Sequence, residues 1–492
     1  MVDASGLETF SSYMASDSQR ILMALAAHND YKVGVGDINN AYLLATSKEN
    51  VYSFGDEAFF RAGYSTSKHA ICRVSKAQYG LKTSGYEWFI MLAESLRSMG
   101  FKRTRGDPDV WYRPYGKDFY CYVGTHTDDL LVVSKDVDSI FDDLKQLYSF
   151  KDTVAPVHHL GVDYVQYKDS SGRTRYQLGS FTYVKEAIEK MDRLIMENGF
   201  SVPHNSHIPM CDKWEPELED GPLCSDKEHT LFMQLVGIYL WIVALGRVDI
   251  GFATSSLSRF SAAPRRNHLT NSFKVLGYLR RNPDKRLAVD SRPMAVMPGK
   301  YVGSKDPQAM KELYPDAAEE FDQQFPEPRG EPLQTSIWYD ANNAHDKVTR
   351  RSVESYILYV GRTQTSSKVR RQGSIAPSTY ISEIASGRTA SEGAMNQRYL
   401  LRSFGARLDG PTHAFGDNEA SIKSTTIPGS ALKHRHIGIS YHMARECEAA
   451  GITRRRWVPS PENRSDGGTK ALGSVQHTNL YRNGGGIFCV PR

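Results

Sequence analysis

The 492-residue chain contains no apolar run approaching the roughly 18 to 20 residues that cross a bilayer, and its most apolar early stretch, Ile21 to Ala27, stops well short of that. No membrane partner is expected. That stretch follows Ser16-Asp17-Ser18 and lacks the basic flank and cleavage pattern of a signal peptide, so it reads as a capped helix in an intracellular protein. Cysteine is scarce: Cys72, Cys121, Cys211, Cys224, Cys447 and Cys489 are scattered, which excludes the dense disulfide framework of a small secreted fold and predicts free thiols. Internal repeats and long low-complexity tracts are also missing, which argues against a solenoid or a fibrous protein. Neither sign of charge dominates, with Lys+Arg 61 against Asp+Glu 56 and a net charge of +5. That balance permits a polyanionic partner without demanding one. What remains is an ordinary folded composition, 40% hydrophobic and 24% charged. At about 150 residues per domain the length suggests roughly three domains.

Periodicity divides the chain. Residues 1–165 mix a helix over Ser16 to Asn29 with two apolar strands, Phe119 to Val123 and Leu130 to Val133, around a short turn. Residues 166–288 are mostly helical in pattern, with an amphipathic stretch from Leu269 to Arg281 that puts Phe273, Leu276 and Leu279 on one face. Residues 289–335 are rich in proline and glycine and read as a linker with one short helix. From Ile337 strands return, followed by a helix near Ser382 to Arg402, so residues 336–480 form a second α/β region. Residues 481–492, with Gly484-Gly485-Gly486, read as a flexible tail.

Adjacent acids at a tight turn are physically costly because neighbouring carboxylates repel, and a divalent cation relieves the repulsion. Asp128-Asp129 is such a pair; a solvated loop is the competing reading. Asp37 closes a strand candidate and precedes Ala41-Tyr42-Leu43. Asp37-Ile38-Asn39-Asn40-Ala41-Tyr42-Leu43 resembles the first catalytic motif of copia-type retrotransposon reverse transcriptases. Tyr79-Gly80-Leu81-Lys82 with Trp88-Phe89 resembles the next motif, Asp128-Asp129 stands at the paired-aspartate turn, and His159-Leu160-Gly161-Val162 is similar to the primer-contacting turn. Leu235 to Trp241, Arg247 to Ala253 and Leu257 to Phe260 resemble the thumb and connection region.

The resemblance implies an α/β (α+β) fold: a reverse transcriptase palm with a helical thumb and connection, then a ribonuclease H-like mixed-sheet domain. It implies an RNA-directed DNA polymerase with ribonuclease H activity, using Mg²⁺ or Mn²⁺ in two-metal phosphoryl transfer. Its partners would be an RNA template, a DNA primer, an RNA–DNA hybrid and deoxynucleoside triphosphates. In the polymerase, Asp37 and Asp128 would bind metal, Asp129 would support them, Tyr42 would exclude the ribonucleotide 2′-hydroxyl, and Gly80, Lys82, Leu160 and Gly161 would contact substrate. In the nuclease, Asp340, Glu383, Asp417 and Asp466 would bind metal and catalyse cleavage. The family would place the chain in a cytoplasmic virus-like particle or in the nucleus.

The paired-aspartate turn reads His126-Thr127-Asp128-Asp129 where the family usually has Tyr-Val-Asp-Asp, and the chain opens just before the first catalytic strand, so most of the fingers is expected to be missing. Two alternatives stand beside the bifunctional enzyme: an inactive nucleic-acid-binding remnant, or an active nuclease with an inactive polymerase. Basic pairs and runs at Arg265-Arg266, Arg280-Arg281, Lys285-Arg286, Arg370-Arg371 and Arg454-Arg455-Arg456, with Lys274 and Lys368, are expected to meet phosphates, against the bland reading of solvated faces. His204, His207, Cys211 and Cys224 are zinc-ligand types, but without a Cys-x-x-Cys knuckle an ordinary loop competes with a metal site.

Overall fold

The computed structural model describes residues 8–55, 57–67, 69–290, 292–293, 298–304, 306–432, 434–483 and 487–489. It is a mixed α/β structure that divides into two compact units: Met1–Gln19 with Tyr31–Pro156, and Arg20–Asp30 with Val157–Arg492. Helix α1 (Ser16–Asn29) therefore contributes its first turn to one unit and the rest to the other.

The first unit is built on a six-stranded antiparallel sheet. Its strands are β1 (Lys32–Ile38), β2 (Lys102–Arg103), β3 (Val110–Tyr115), β4 (Phe119–His126), β5 (Asp129–Ser134) and β6 (Phe150–Val154), in the order β2-β3-β4-β5-β1-β6. Leu130 to Val133 are all buried, as expected of an interior strand with both faces covered. Three helices attend the sheet: the short α2 (Ala41–Leu44), α3 (Ser84–Ser98) and α4 (Val137–Lys145). Asp136 caps α4 by accepting from the Ser139 amide at 3.3 Å, and Ile140, Phe141 and Leu144 face the core. Gly34 and Gly36 are what let α4 approach β1. A Cβ on Gly34 would lie 2.6 Å from Val137 Cγ1, and one on Gly36 would lie 2.8 Å from Phe141 Cε1.

The second unit contains a small sheet, a helical layer and a second mixed sheet. The small sheet joins β7 (His158–His159), β8 (Val162–Lys168), β9 (Thr174–Gly179) and β10 (Arg286–Val289), with Phe488–Cys489 on its edge. Part of the expected tail is thus a strand, while Gly484 to Gly486 lie outside the described residues. The helices are α5 (Phe181–Glu197), α6 (Asp226–Ala244), α7 (Gly251–Ser258) and α8 (Arg266–Arg281). Their shared core includes Met191, Phe232, Leu235, Tyr239, Leu269 and Leu276. A capping box starts α6: Ser225 Oγ accepts from the Glu228 amide at 3.4 Å and Glu228 Oε2 accepts from the Ser225 amide at 2.8 Å. The amphipathic stretch begins a turn earlier than its apolar spacing suggests, because His268 Nδ1 accepts from the Arg265 amide at 3.0 Å and caps α8.

One buried polar cluster ties these helices together. Arg247 holds Asp249 through two hydrogen bonds of 3.0 and 2.9 Å, the Tyr278 hydroxyl donates to Asp249 at 2.8 Å, and Lys285 lies 3.2 Å away. Burial alone would raise the Asp249 carboxyl, but these cations and donors hold it far below the usual carboxylate range. His477, in the last helical turn, donates from Nε2 to the Asp249 carbonyl at 3.2 Å.

The linker region carries helix α9 (Pro307–Leu313) and the strand Arg329–Leu333, which pairs in parallel with Ala406–Leu408. Beyond it lie β11 (Thr335–Asn342), β12 (Val353–Val360), β13 (Thr363–Arg371), β14 (Thr412–Gly416) and β15 (Thr453–Trp457), in the order β13-β12-β11-β14-β15. β11, β12 and β13 are antiparallel, whereas β14 and β15 run parallel to β11. Helix α10 (Thr379–Ser403), capped by Ser378, packs on β11, and α11 (Glu419–Thr426) and α12 (Gly438–Ala449) complete the layer.

None of the six cysteines forms a disulfide. Among the described residues no helix is long and apolar enough to cross a membrane.

Candidate metal centre

Four carboxylates gather at the carboxyl ends of β11 and β14. Asp340 sits on β11, and its backbone carbonyl accepts from Ser386 Oγ of α10 at 2.9 Å. Glu383 lies in the first turns of α10, where Oε1 accepts from the Ala341 amide at 3.4 Å. Asp417 follows β14 directly, and its carbonyl accepts from Trp457 Nε1 at 2.8 Å. Ligand atoms of Asp340, Glu383 and Asp417 all lie within 4.8 Å of one another, the one such set of three among the described residues. Asp466 opens the turn Asp466–Gly468 beside them and raises the Asp340 carboxyl by its charge.

Burial and mutual repulsion make this cluster costly. Asp340 is 4% exposed, and burial first, then the charges of Asp417 and Asp466, push its carboxyl up to about 7. Glu383, 3% exposed, is pushed well above the ordinary range by burial and by Asp340 and Asp417, and burial also raises Asp466. Glu383 Oε2 is buried with no hydrogen-bond partner. Two residues oppose the repulsion: Thr469 Oγ1 donates to Asp340 Oδ2, and the Lys470 ammonium pairs with Asp466. Close hard-oxygen donors with an unsatisfied atom fit a divalent cation of the Mg²⁺ or Mn²⁺ type.

The acids of the first unit are arranged differently. Asp37 and Asp129 face each other across the β1–β5 pair, and Asp128 precedes β5 in the turn. Thr127 takes φ 55° there, and its carbonyl accepts from Trp88 Nε1 at 2.6 Å, so α3 fixes the turn. Asp37, Asp128 and Asp129 do not converge within 4.8 Å as the other trio does. Lys151 Nζ donates to Asp37 Oδ2 at 2.6 Å, an exposed pair, and that hydrogen bond raises the lysine, with Asp128 and Asp129 adding to it. Asp37 Oδ1 is buried without a partner, so the donor chemistry again suits a hard cation.

The remaining predicted residues fall as follows. Tyr42, on α2, packs against Tyr79 with ring centroids 4.7 Å apart and planes tilted by 47°, and burial raises its hydroxyl, helped by Tyr79 and Asp128. Gly80 takes φ 101° in an open turn, and Lys82 is exposed. Leu160 and Gly161, with φ 52° and 76°, form the turn between β7 and β8 in the second unit.

His204, His207, Cys211 and Cys224 form no metal-holding group among the described residues, and the His204 carbonyl packs where a Cβ on Gly277 would be. Several of the basic residues expected to meet phosphates pair within the chain. Arg455 is 1% exposed, so burial obliges it to find partners, and it bonds the Ala444 carbonyl at 2.6 Å; the less buried Arg280, Arg370 and Arg371 pair with Asp192, Glu354 and Asp346. Arg266, Lys274, Arg281, Lys368 and Arg370 are exposed. Sequence reasoning gave no role to Lys151, Thr469 or Lys470. The Thr-Lys pair directly after Asp466 was a usable signal, but Lys151 reaches Asp37 only through the β1–β6 pairing.

Residues 2–206 match the family model for reverse transcriptase (RNA-dependent DNA polymerase). A retrovirus-related Pol polyprotein from transposon RE1 of Arabidopsis thaliana is 24% identical over 479 residues, 96% of this chain and 29% of the relative. The corresponding polyprotein from transposon TNT 1-94 of Nicotiana tabacum is 26% identical over 280 residues, covering 56% of this chain and 20% of the relative. A putative transposon Ty5-1 protein of Saccharomyces cerevisiae is 28% identical over 249 residues, 49% of this chain and 74% of the relative. The chain carries a copia-type reverse transcriptase region. That region includes Asp37, Asp128 and Asp129, whereas Asp340, Glu383, Asp417 and Asp466 lie beyond the family match. The chain spans 29% and 30% of the lengths of its transposon RE1 and RE2 relatives.

Proposed function

We propose that this chain is an RNA-directed DNA polymerase joined to a ribonuclease H, acting inside the cell on a primed RNA template and on the resulting RNA–DNA hybrid. In this reading residues 1–165 are the palm, 166–288 the thumb and connection, 289–335 a linker, 336–480 the ribonuclease H-like domain and 481–492 a tail. The observation that carries the nuclease half is the convergence of Asp340, Glu383 and Asp417 within 4.8 Å, with Asp466 beside them on a mixed sheet. The family match and the placement of Asp37 opposite Asp129 support the polymerase half.

Two divalent ions in each centre would activate the attacking oxygen and stabilise the leaving one. Asp340, Glu383, Asp417 and Asp466 would hold them in the nuclease, and Asp37 and Asp128 in the polymerase, with Asp129 contributing charge. The residues themselves do the preparatory work. Thr469 keeps the Asp340 carboxylate aimed into the cluster, and Lys470 balances Asp466. Lys151 holds Asp37, and Trp88 sets the turn that carries Asp128. Tyr42 would stand against a 2′-hydroxyl, with Gly80, Lys82, Leu160 and Gly161 contacting substrate.

A second reading, nuclease active and polymerase inactive, is favoured by two observations: the polymerase acids do not converge within 4.8 Å, and one of them is paired with Lys151. The chain is tested with a labelled RNA–DNA hybrid and, separately, a primed template with deoxynucleotides, in Mg²⁺ and in Mn²⁺. Asp340→Asn is expected to abolish hybrid cleavage and leave extension intact, and Asp128→Asn to do the reverse. Cleavage without extension supports the second reading; absence of both activities, with the hybrid still bound, rejects both.

A further inference from the structure

The second unit holds a cavity that neither carboxylate centre uses. It has a volume of about 160 Å³ and lies between helices α6 and α7 and strands β12 and β13. Val248, Ile357 and Val369 supply apolar walls, Ser255, Ser258 and Ser367 lie among them, and Gly251 faces Val369 from the α7 side. An apolar chamber of about 150 Å³ is large enough to take up benzene.

One polar group in the wall is unmatched. Thr254 is 1% exposed, lines the cavity, and its Oγ1 has no hydrogen-bond partner. A helical threonine ordinarily bonds back to a carbonyl one turn earlier, yet Thr254 makes no such bond. Leaving a hydroxyl buried and unbonded is unfavourable, and a single polar atom on an occupant would satisfy it.

We propose that this cavity binds a small aromatic molecule bearing one hydrogen-bonding group, of the phenol class, with its ring on the apolar walls and its hydroxyl on Thr254 Oγ1. The opposite wall includes Ser355 and Gly468. Ser355 Oγ lies 2.7 Å from Ser465 Oγ, and Gly468 closes the turn opened by Asp466. The occupant therefore sits against the turn that carries one of the four carboxylates.

The test is calorimetric titration of the full chain with phenol and with benzene, without metal or nucleic acid, so its outcome is independent of either activity. Phenol is expected to bind saturably and about fivefold more tightly than benzene, the value of one neutral hydrogen bond. Thr254→Val, which keeps shape and removes the hydroxyl, is expected to erase that preference while benzene binding persists. Gly251→Ala places a methyl 3.6 Å from Val369 Cγ2, an ordinary contact that the fold accommodates, and is expected to weaken both ligands. Absence of saturable binding, equal binding of phenol and benzene by the wild type, or a phenol preference that survives Thr254→Val would each overturn the proposal.

Discussion

A single hydroxyl links the Asp340–Glu383–Asp417 cluster to the turn beside it. Thr469 is fully buried and spends its Oγ1 hydrogen on Asp340. Hydrogen bonds to charged groups contribute about 1.5 to 3 kcal/mol, so Thr469→Val is expected to lower hybrid cleavage by about tenfold or more, with primer extension unchanged; equal rates for the two proteins would remove the positioning role. Elsewhere, burial pushes His477 down to about 4, and the side chain is kept neutral as a donor to the Asp249 carbonyl. Its folded pKa lies below the unfolded value, so the unfolded chain binds more protons between about pH 4 and 6.5, and stability contributed at neutral pH is lost as pH falls through that window. The loss amounts to at most about 3 kcal/mol. Urea denaturation between pH 7 and 4 is expected to show a shallower decline for His477→Gln than for the wild type. His413, also pushed down to about 4 by burial, adds a slope of the same sign.

The elements explain which parts of the site were legible. Alternation and apolar runs revealed the strands around Asp128 and the helix bearing Glu383, because local burial patterns record those features. Motif order pointed to the seven acids, and the structure gathers Asp340, Glu383 and Asp417 within 4.8 Å with Asp466 beside them. What stayed hidden depends on strand pairing. The reach of Lys151 to Asp37 follows from β6 lying beside β1, and Arg455, which looked basic and available, sits on the edge strand β15 with its side chain buried against α10 and α12, where burial demands partners. Close packing is equally invisible. A Cβ on Gly416 would lie 2.6 Å from Tyr339 Cζ, one residue before Asp417. Overpacking of this kind costs about 1 to 3 kcal/mol, so Gly416→Ala is expected to lower the melting temperature and to reduce hybrid cleavage. Gly36→Val, which drives β1 against Phe141 and Phe150 beside Asp37, should instead lower extension and leave cleavage in place. Loss of both activities in either variant would show that the effect is global unfolding.

Across the whole molecule, each unit carries its own set of acids: Asp37, Asp128 and Asp129 in one, and Asp340, Glu383, Asp417 and Asp466 in the other. Their electrostatics differ in a way that bears on function. Asp340 and Glu383 are buried, mutually repulsive and raised toward neutrality, with a partnerless oxygen on Glu383; the first set is more open, and its leading acid is paired with a lysine. Cation demand is therefore greatest at the cluster of Asp340, Glu383 and Asp417. The most direct measurement is anomalous diffraction from crystals of the chain soaked in Mn²⁺ with an RNA–DNA hybrid. Two manganese peaks about 4 Å apart, bounded by Asp340, Glu383, Asp417 and Asp466 and absent in Asp340→Asn, are the predicted result. Hybrid seated on the cluster with no manganese there, and Lys470 still paired with Asp466, would contradict the account.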